Sequence, residues 1–285
     1  MKKFLALLIL AVACFRAQEA VFRTEARLVE VHAVVLDDRG KYVNDLARDR
    51  FVVSENGQRQ DLVAFQSDAA GMDCAVLVDT TGSMREELPR VKNAIARFID
   101  ELRDDDSVAV YSFTTSLDLL QDFTKDRALA KRAVMRTRAA GATALFDAIG
   151  QVTRVLSERK GKRAAVVFTD GDDNSSVLRA RAAIDGAKKA GVPIYLVAQG
   201  EALTQKNLLH GMREIAAGTG AAVFEARKPS DVVGIFRDIV GDLEHTYLLA
   251  YRPPQGDRVK WRSIQLAVTG LKSYKVRAKE GYFPD

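Results

Sequence analysis

Between residues 72 and 243 the chain alternates short apolar runs with longer amphipathic segments, and no other feature constrains its fold as strongly. Val76-Leu77-Val78 and residues 164–168 are apolar runs that predict buried strands. Between such runs, apolar side chains recur at helical spacing, as they do from Leu88 to Leu102. Strands that alternate with helices favour a parallel sheet with helices on both faces. We therefore expect a doubly wound, mostly parallel, Rossmann-like α/β domain over residues 72–243.

The segment before this domain, residues 22–68, has a β pattern. Residues 29–35 alternate apolar side chains with others, which predicts a half-buried strand with His32 on its exposed or half-exposed face. Asn56-Gly57 is a strong signal for a hairpin turn. This turn lies between two further predicted strands, residues 51–53 and 62–65.

The segment after the domain, residues 244–285, predicts three more strands: residues 247–251, 264–268 and 274–278. Neither flank contains enough strands to form a sheet with its own core. The economical interpretation is one β-sandwich domain that is built from residues 22–68 and 244–285. The α/β domain is then inserted into this sandwich.

One predicted strand carries polar residues at its end. It delivers Asp79 to its C-terminal tip, where Thr81 and Ser83 follow at alternate positions. Open α/β sheets bind ligands in the crevice at the carboxyl ends of their strands, so we expect these three side chains in one crevice. Ser83 also precedes a long amphipathic helix, at a position that predicts an N-cap.

Two later stretches add to this set. Thr143 stands in Gly141-Ala142-Thr143-Ala144-Leu145 before a predicted helix, and Asp170 follows the buried strand over residues 164–168. In a parallel sheet these positions open on the same edge as the first acid. The candidate metal ligands are therefore two carboxylates and three hydroxyls: Asp79, Thr81, Ser83, Thr143 and Asp170. Because all donors are oxygens, we expect a hard cation, Mg²⁺ or Mn²⁺, with an open coordination position.

These three motifs, in this order, resemble the metal-ion-dependent adhesion site of the von Willebrand factor type A family. That site combines an Asp-x-Ser-x-Ser stretch with a distant Thr and a distant Asp. Here Asp79-Thr80-Thr81-Gly82-Ser83 matches the first motif, with Thr81 in place of the first Ser, so the hydroxyl is kept. Thr143 and Asp170 match the other two. The resemblance covers residues 72–243 and implies a metal-dependent protein-binding or adhesion module, not an enzyme.

The flanks are similar to a group of bacterial secreted proteins that carry this domain between β segments. Residues 49–57, Asp-Arg-Phe-Val-Val-Ser-Glu-Asn-Gly, and residues 277–283, Arg-Ala-Lys-Glu-Gly-Tyr-Phe, carry that likeness. A hard cation prefers anionic oxygen, so we expect a partner protein that presents an Asp or Glu side chain to the ion. Asp172 and Asp173 argue the other way, since negative charge beside the site weakens the attraction of an anion.

The same stretch also supports an enzymatic alternative. Asp79-Thr80-Thr81-Gly82-Ser83 is similar to the aspartyl-phosphate loop of haloacid-dehalogenase-type phosphatases, so Asp79 would be the nucleophile of a magnesium-dependent phosphatase. Gly171-Asp172-Asp173-Asn174 is faintly similar to their magnesium loop. The simple phosphatases need a second Asp two residues after the first, and this chain has Thr81 there.

The first residues have the composition of a targeting segment. Lys2 and Lys3 precede an apolar run over residues 4–15, which is too short to span a bilayer and predicts a signal peptide over residues 1–17. We expect a secreted or periplasmic protein whose mature chain has no transmembrane segment. Cys14 directly follows a small residue, so a lipid anchor at Cys14, with attachment to the envelope, remains an alternative.

Charge and cysteine content narrow the function classes. The net charge is +5 and acids are interleaved with bases, so no basic stripe is present and no nucleic-acid partner is expected. Cys14 and Cys74 are the two cysteines, which excludes a disulfide framework. Cys74 lies in an apolar strand and is expected to be a small buried hydrophobe.

Overall fold

The computed structural model describes residues 28–170, 173–228, 231–256 and 260–284. The predicted signal peptide, Cys14 and Asp172 lie outside these ranges. Within them, strands alternate with helices in the middle of the chain, and strands predominate in both flanks. The predicted fold class is confirmed: an α/β domain accompanied by antiparallel sheets that form from the two ends of the chain.

The strands, in chain order, are β1 (Val29–Asp37), β2 (Phe51–Glu55), β3 (Gln58–Gln60), β4 (Leu62–Gln66), β5 (Met72–Asp79), β6 (Ser107–Phe113), β7 (Leu117–Thr124), β8 (Lys162–Thr169), β9 (Ile194–Ala198), β10 (Val223–Glu225), β11 (Thr246–Tyr251), β12 (Arg262–Val268), β13 (Tyr274–Ala278) and β14 (Gly281–Tyr282). The helices are α1 (Leu88–Glu101), α2 (Arg127–Arg136), α3 (Leu145–Ser157), α4 (Ala180–Ala190), α5 (Lys206–Thr219) and α6 (Asp231–Glu244). Across the described ranges, every helix is too short or too polar to cross a bilayer.

The α/β domain is built on a six-stranded sheet with the order β10-β9-β8-β5-β6-β7. The strands pair in parallel except at the β7 edge, where β7 runs antiparallel to β6. Helices α1, α2 and α6 cover one face, and α3, α4 and α5 cover the other. Alternate side chains of β5 therefore enter two cores, with Val76 in the first and Leu77 in the second. Cys74 is fully buried in the first core, as expected.

The remaining strands form two four-stranded sheets that pack as a sandwich. One sheet has the order β13-β1-β11-β4, and the other has the order β14-β12-β2-β3. Their inward side chains share one core that includes Val31, Val53, Tyr247 and Ile264. Each sheet contains strands from both flanks, so neither flank completes a sheet without the other.

The hairpin in the first flank differs from its prediction in one strand. Asn56 and Gly57 both have positive φ, 49° and 79°, as the central residues of a tight hairpin turn do. The turn joins β2 to β3, whereas the strand predicted over residues 62–65 is β4, which pairs with β11 in the other sheet. The β3 strand is polar and mostly exposed at a sheet edge, so no apolar alternation marks it in the sequence.

His32 is buried, with 3% of its surface exposed, so its predicted place on an exposed face of its strand is wrong. The reason is that the α/β domain covers this face of β1. The backbone N–H of Arg163 donates to His32 Nε2 at 3.3 Å, and the Arg163 guanidinium pairs with Glu30 at 2.5 Å. Burial, and then the positive charges of Arg163 and Lys279, hold the pKa of His32 well below its usual value. His32 is therefore a neutral residue of the domain interface.

A second set of contacts joins the sandwich to α6. The Tyr42 hydroxyl donates to the Asp242 carboxylate at 3.0 Å, and Arg277 of β13 forms an ion pair with the same carboxylate. The covalent connection is equally short, because α6 ends at Glu244 and β11 begins at Thr246. The position of α6 is thus fixed by the sandwich through the chain itself and through an ion pair whose carboxylate, Asp242, is buried.

Replacing His32 with Gln should reduce the pH dependence of folding stability. Below about pH 6.5 the unfolded chain binds a proton at His32 that the folded chain does not bind. The contribution of His32 to the free energy of unfolding should therefore be highest above that pH and fall below it, by up to about 1.4 kcal/mol per pH unit. Urea unfolding at pH 8, 6.5 and 5 should show a smaller loss for His32→Gln.

His210→Gln is the matched control, since His210 lies at an exposed position of α5. Both substitutions remove one imidazole, so the comparison isolates the effect of burial. The control should lose as much stability on acidification as the wild type. A pH dependence in His32→Gln equal to that of the wild type would contradict the neutral, buried state of His32.

Candidate metal centre

Asp79 and Asp170 lie next to each other at the carboxyl edge of the central sheet. Asp79 is the last residue of β5, and Asp170 follows Thr169, the last residue of β8. The two strands pair in parallel, with Val78 opposite Phe168. Parallel pairing of neighbouring strands therefore brings both carboxylates to one crevice.

The Asp79 side chain is buried and is oriented by two donors. The Thr81 N–H donates to Asp79 Oδ1 at 3.0 Å, and the Thr169 hydroxyl donates to Asp79 Oδ2 at 2.6 Å. Burial raises the pKa of Asp79, and these hydrogen bonds oppose the rise. The strand end thus presents a carboxylate in one fixed orientation.

Two hydroxyls connect the first carboxylate loop to the second carboxylate. Thr81 Oγ1 lies 3.1 Å from Ser83 Oγ, and the Ser83 hydroxyl donates to Asp170 Oδ1 at 3.0 Å. Burial, and then the neighbouring charge of Asp79, raise the pKa of Asp170 to about 6. The crevice therefore contains two acids and two hydroxyls whose oxygens could coordinate a cation. None of these four side chains carries a positive charge.

The loop that carries Thr143 packs directly on the loop after β5. The Ala140 N–H donates to the Thr80 carbonyl at 2.8 Å, and the Gly82 N–H donates to the Gly141 carbonyl at 3.1 Å. Gly141 has a φ of +83°, which favours glycine and lets the loop turn at this point. Thr143 is buried in this loop, and no hydrogen bond joins its hydroxyl to the other four candidate side chains, all of them described. Backbone contacts therefore hold the loop that carries Thr143 against the loop after β5.

Ser83 does not cap helix α1, in contrast to its predicted position. It begins a short 3₁₀ turn, Ser83–Arg85, and α1 starts later, at Leu88. Its hydroxyl donates to Asp170 and so belongs to the crevice. A serine that follows a glycine before a helix is compatible with both roles, so the sequence does not separate them.

Asp173 and Asn174, the described residues that follow Asp170 in this loop, have structural roles. The Asp173 carboxylate accepts from the Phe146 N–H at the start of α3, at 2.8 Å, and from the Ser176 hydroxyl at 2.6 Å. Asn174 accepts from the Thr143 N–H at 3.1 Å. A run of Asp, Asn and Ser residues after a strand is typical of turns whose side chains satisfy backbone donors. These two residues therefore hold the Thr143 loop and the start of α3 in place next to the site.

The chemistry of the donors limits the kind of metal that fits. Across the described residues, no group of three or more His, Cys, Asp and Glu side chains is arranged to hold a metal ion. The candidate centre offers two carboxylates, and hydroxyls make up the rest. Zinc and softer metals prefer Cys and His ligands, whereas carboxylate and hydroxyl oxygens suit a hard cation. The residues present therefore fit Mg²⁺ or Mn²⁺.

The same geometry disfavours the phosphatase alternative. Both oxygens of Asp79 accept hydrogen bonds, and the residue has no exposed surface. A nucleophile must come within about 3–3.5 Å of the phosphorus atom of a bulky phosphoryl group. A small cation makes no such demand, because a single water can connect it to a buried carboxylate. Thr81, in place of the second acid, uses its N–H to hold Asp79.

A family model described as "von Willebrand factor type A domain" matches residues 73–238. A solved von Willebrand factor type A structure from Catenulispora acidiphila has a TM-score of 0.54 at 16% identity, covering 91% of this chain and 74% of that one. None of the curated proteins matches the sequence.

Two further solved structures of similar fold are those of pilus proteins. The PilB minor pilin from Streptococcus sanguinis has a TM-score of 0.54 at 13% identity, covering 62% of this chain and 62% of that one. The vWF domain of the type V pili tip protein Mfa5 from Porphyromonas gingivalis has a TM-score of 0.51 at 13% identity, covering 60% of this chain and 94% of that one. At these identities the structures establish similarity of fold alone.

Replacing Asp170 with Asn should stabilise the metal-free protein. Between about pH 4 and pH 6 the unfolded chain loses the Asp170 proton before the folded chain does, so the wild type loses stability as pH rises through this window. Asn removes that loss and still accepts the Ser83 hydrogen bond. In excess chelator, urea unfolding at pH 8 should give a gain of about 1–2 kcal/mol, which shrinks to near zero by pH 4.

Asp173→Asn is the control for this measurement. Its carboxylate holds the α3 start and Ser176, so this substitution should lower the free energy of unfolding at pH 8. The two changes remove the same charge from positions three residues apart. If Asp170→Asn were less stable than the wild type at pH 8, the cost of holding a charged Asp170 buried beside Asp79 would be refuted.

Proposed function

Because this chain belongs to the von Willebrand factor type A family, we propose that it is a protein-binding module that works through a divalent cation. The cation is Mg²⁺ or Mn²⁺, and it captures a carboxylate of a partner protein. The observation that carries the proposal is the row of oxygens between two strand ends, from Asp79 through Thr81 and Ser83 to Asp170.

The proposed ligands are the five predicted residues: Asp79, Thr81, Ser83, Thr143 and Asp170. Burial, and then repulsion by the neighbouring Asp79 carboxylate, raise the pKa of Asp170, so the metal-free crevice holds its second negative charge at a cost. A divalent cation would relieve the repulsion and turn the same charges into an attraction. The hydroxyls are neutral, so they supply coordination without cancelling the remaining charge of the ion.

The partner's chemistry follows from that remaining charge. Magnesium takes six oxygen ligands and keeps several waters when the protein supplies few anionic ones. The most favourable replacement for a water is an anionic oxygen, and in a partner protein that oxygen comes from Asp or Glu. Asp173 opposes this capture, but the donors of Phe146 and Ser176 that its carboxylate accepts from offset part of its negative charge.

The proposal extends to location. The N-terminal residues have the composition of a signal peptide, and two proteins of similar fold are a minor pilin and a pili tip protein. Binding modules on surface structures meet their partners outside the cytoplasm. We therefore place this protein in the periplasm or outside the cell, with Cys14 as the candidate site of a lipid anchor.

We further propose that the module has no catalytic activity. The phosphatase alternative requires Asp79 to attack a phosphoryl group, and its two oxygens are engaged by Thr81 and Thr169. Capture of a carboxylate requires no nucleophile and no proton transfer. Its requirements are a fixed cation and one exchangeable ligand position.

Asp79→Ala should abolish stabilisation by metal. Ligands that bind the folded chain raise its melting temperature by mass action, so added Mg²⁺ or Mn²⁺ should raise that of the wild type. The variant keeps one carboxylate, which balances a divalent ion poorly, and should show no shift. Thermal unfolding in chelator and over a metal titration measures both.

Asp61→Ala is the control, because Asp61 is an exposed acid of the sandwich. It should show the full metal shift of the wild type. The comparison uses the shift rather than the absolute melting temperature, so a general loss of stability in Asp79→Ala does not affect the result. A wild-type shift in Asp79→Ala would show that the metal binds elsewhere.

Partner capture tests the carboxylate directly. Pull-down from the native envelope with the wild type should recover a partner in Mg²⁺ and lose it in chelator. In that partner, changing the captured Asp or Glu to its amide should weaken binding by about ten-fold or more, since a neutral oxygen is a poor replacement for an anionic one. Chelator-sensitive binding that is indifferent to every such change would leave the metal a structural role only.

A further inference from the structure

A groove with a volume of about 410 Å³ lies beside the metal centre, between α1 and the segment that leads into α6. Its floor is apolar and includes the buried residues Val91, Ala94 and Ala226. Gly200 also lines the groove, and it lies so close to the site that an added Cβ would lie 3.2 Å from Asp170 Cβ. The groove and the second carboxylate therefore share a wall.

The rim of this groove is strongly positive. Its lining includes four cations, Arg90, Arg97, Arg227 and Lys228, and one acid, Glu87. This contrasts with the chain as a whole, in which acids and bases nearly balance. A cluster of cations around an apolar floor attracts a ligand that has carboxylates and an apolar side chain.

Two of these cations are available for a ligand. Arg90 pairs with Glu87 at 3.0 Å, and Arg227 pairs with Glu225 at 2.5 Å, so their charges are partly used. Arg97 and Lys228 are exposed and form no ion pair with any residue in the described ranges. Their side chains are long and flexible, so they impose charge rather than a fixed geometry on what they bind.

We propose that the groove binds an acidic, partly apolar peptide segment of the partner whose carboxylate the cation captures. This inference rests on the proposed function, because it names the chemistry of the same partner. An extended segment whose captured side chain lies over the metal continues past Gly200 into the groove, where further carboxylates meet Arg97 and Lys228. Recognition there depends on charge and apolar contact, so selectivity for sequence is low.

A defined probe makes the test independent of the natural partner. The probe is the fluorescein-labelled hexapeptide Asp-Leu-Asp-Leu-Asp-Leu, and its counterpart is Asn-Leu-Asn-Leu-Asn-Leu. Fluorescence anisotropy in Mg²⁺ should show the acidic peptide binding the wild type roughly ten-fold more tightly than the amide peptide, with an affinity that falls as salt is added. Equal binding of the two peptides would overturn the proposal.

The double variant Arg97→Glu/Lys228→Glu should bind the acidic peptide roughly ten-fold more weakly, because two attractions become repulsions. The matched control is Arg154→Glu/Lys160→Glu, which makes the same change in net charge at exposed positions in and just after α3, on the opposite face of the sheet. The control should bind within about two-fold of the wild type. If both double variants weaken binding equally, general charge explains the result and the groove assignment is wrong.

Two further experiments would identify a different occupant of the groove. Dextran sulfate that binds the wild type but not the groove variant, in the absence of acidic-peptide binding, would assign the groove to polyanions and overturn the proposal. Sedimentation that reveals self-association of the wild type, lost in the groove variant, would assign the groove to a second copy of the chain and also overturn it.

The metal-dependent rise in melting temperature distinguishes failure of the metal-centre proposal from failure of the groove proposal. The groove variant should keep the full Mg²⁺-dependent rise in melting temperature, since none of the five proposed ligands is changed. A normal shift with unaltered peptide binding in that variant refutes the groove alone. No shift in the wild type, together with peptide binding that depends on Arg97 and Lys228, refutes the metal centre and leaves the groove as a separate binding surface.

Discussion

The parallel pairing of β5 with β8 is the constraint on which the centre of this molecule depends. It places Val78 opposite Phe168, so Asp79 and Asp170 reach the same edge of the sheet, with Asp170 one position further along its strand. Two acids in one crevice destabilise the metal-free fold, and burial of both strands on two faces contributes the offsetting free energy. Register is fixed just as firmly, because a slip of one residue would exchange the side chains of the two cores and turn Asp79 away from the hydroxyls.

The sequence predicted the fold correctly where the apolar pattern within one segment is enough to define its secondary structure. The apolar strands and amphipathic helices of the α/β domain are such segments, and their order predicts the parallel sheet. His32 was misplaced because the residue that covers it, Arg163, lies far away along the chain. The sequence also did not distinguish β3 from β4, for a similar reason: β4 is defined by its pairing with β11 from the other flank. Contacts between distant segments leave no local periodicity.

The residues of the candidate site also fall into two groups, those that the local sequence predicts and those that it does not. Strand ends and turn residues identify Asp79, Thr81, Ser83 and Asp170, because position at a strand tip is encoded locally. Thr169 was passed over, since a threonine at the end of an apolar strand has no feature that distinguishes a donor to Asp79 from an ordinary buried hydroxyl. The cationic groove was also invisible, because it forms only when α1 and the segment before α6 meet.

Insertion of the α/β domain into the sandwich also determines how the molecule carries load. The chain leaves the sandwich at β4 and returns at β11, and these two strands are antiparallel neighbours. Tension applied at Leu28 and Pro284 therefore passes through β1, β13 and their neighbours, while the α/β domain lies outside the line of force. Until β4 separates from β11, stretching of the sandwich would reach that domain only through the contacts between the two parts, such as His32 with Arg163 and Tyr42 and Arg277 with Asp242.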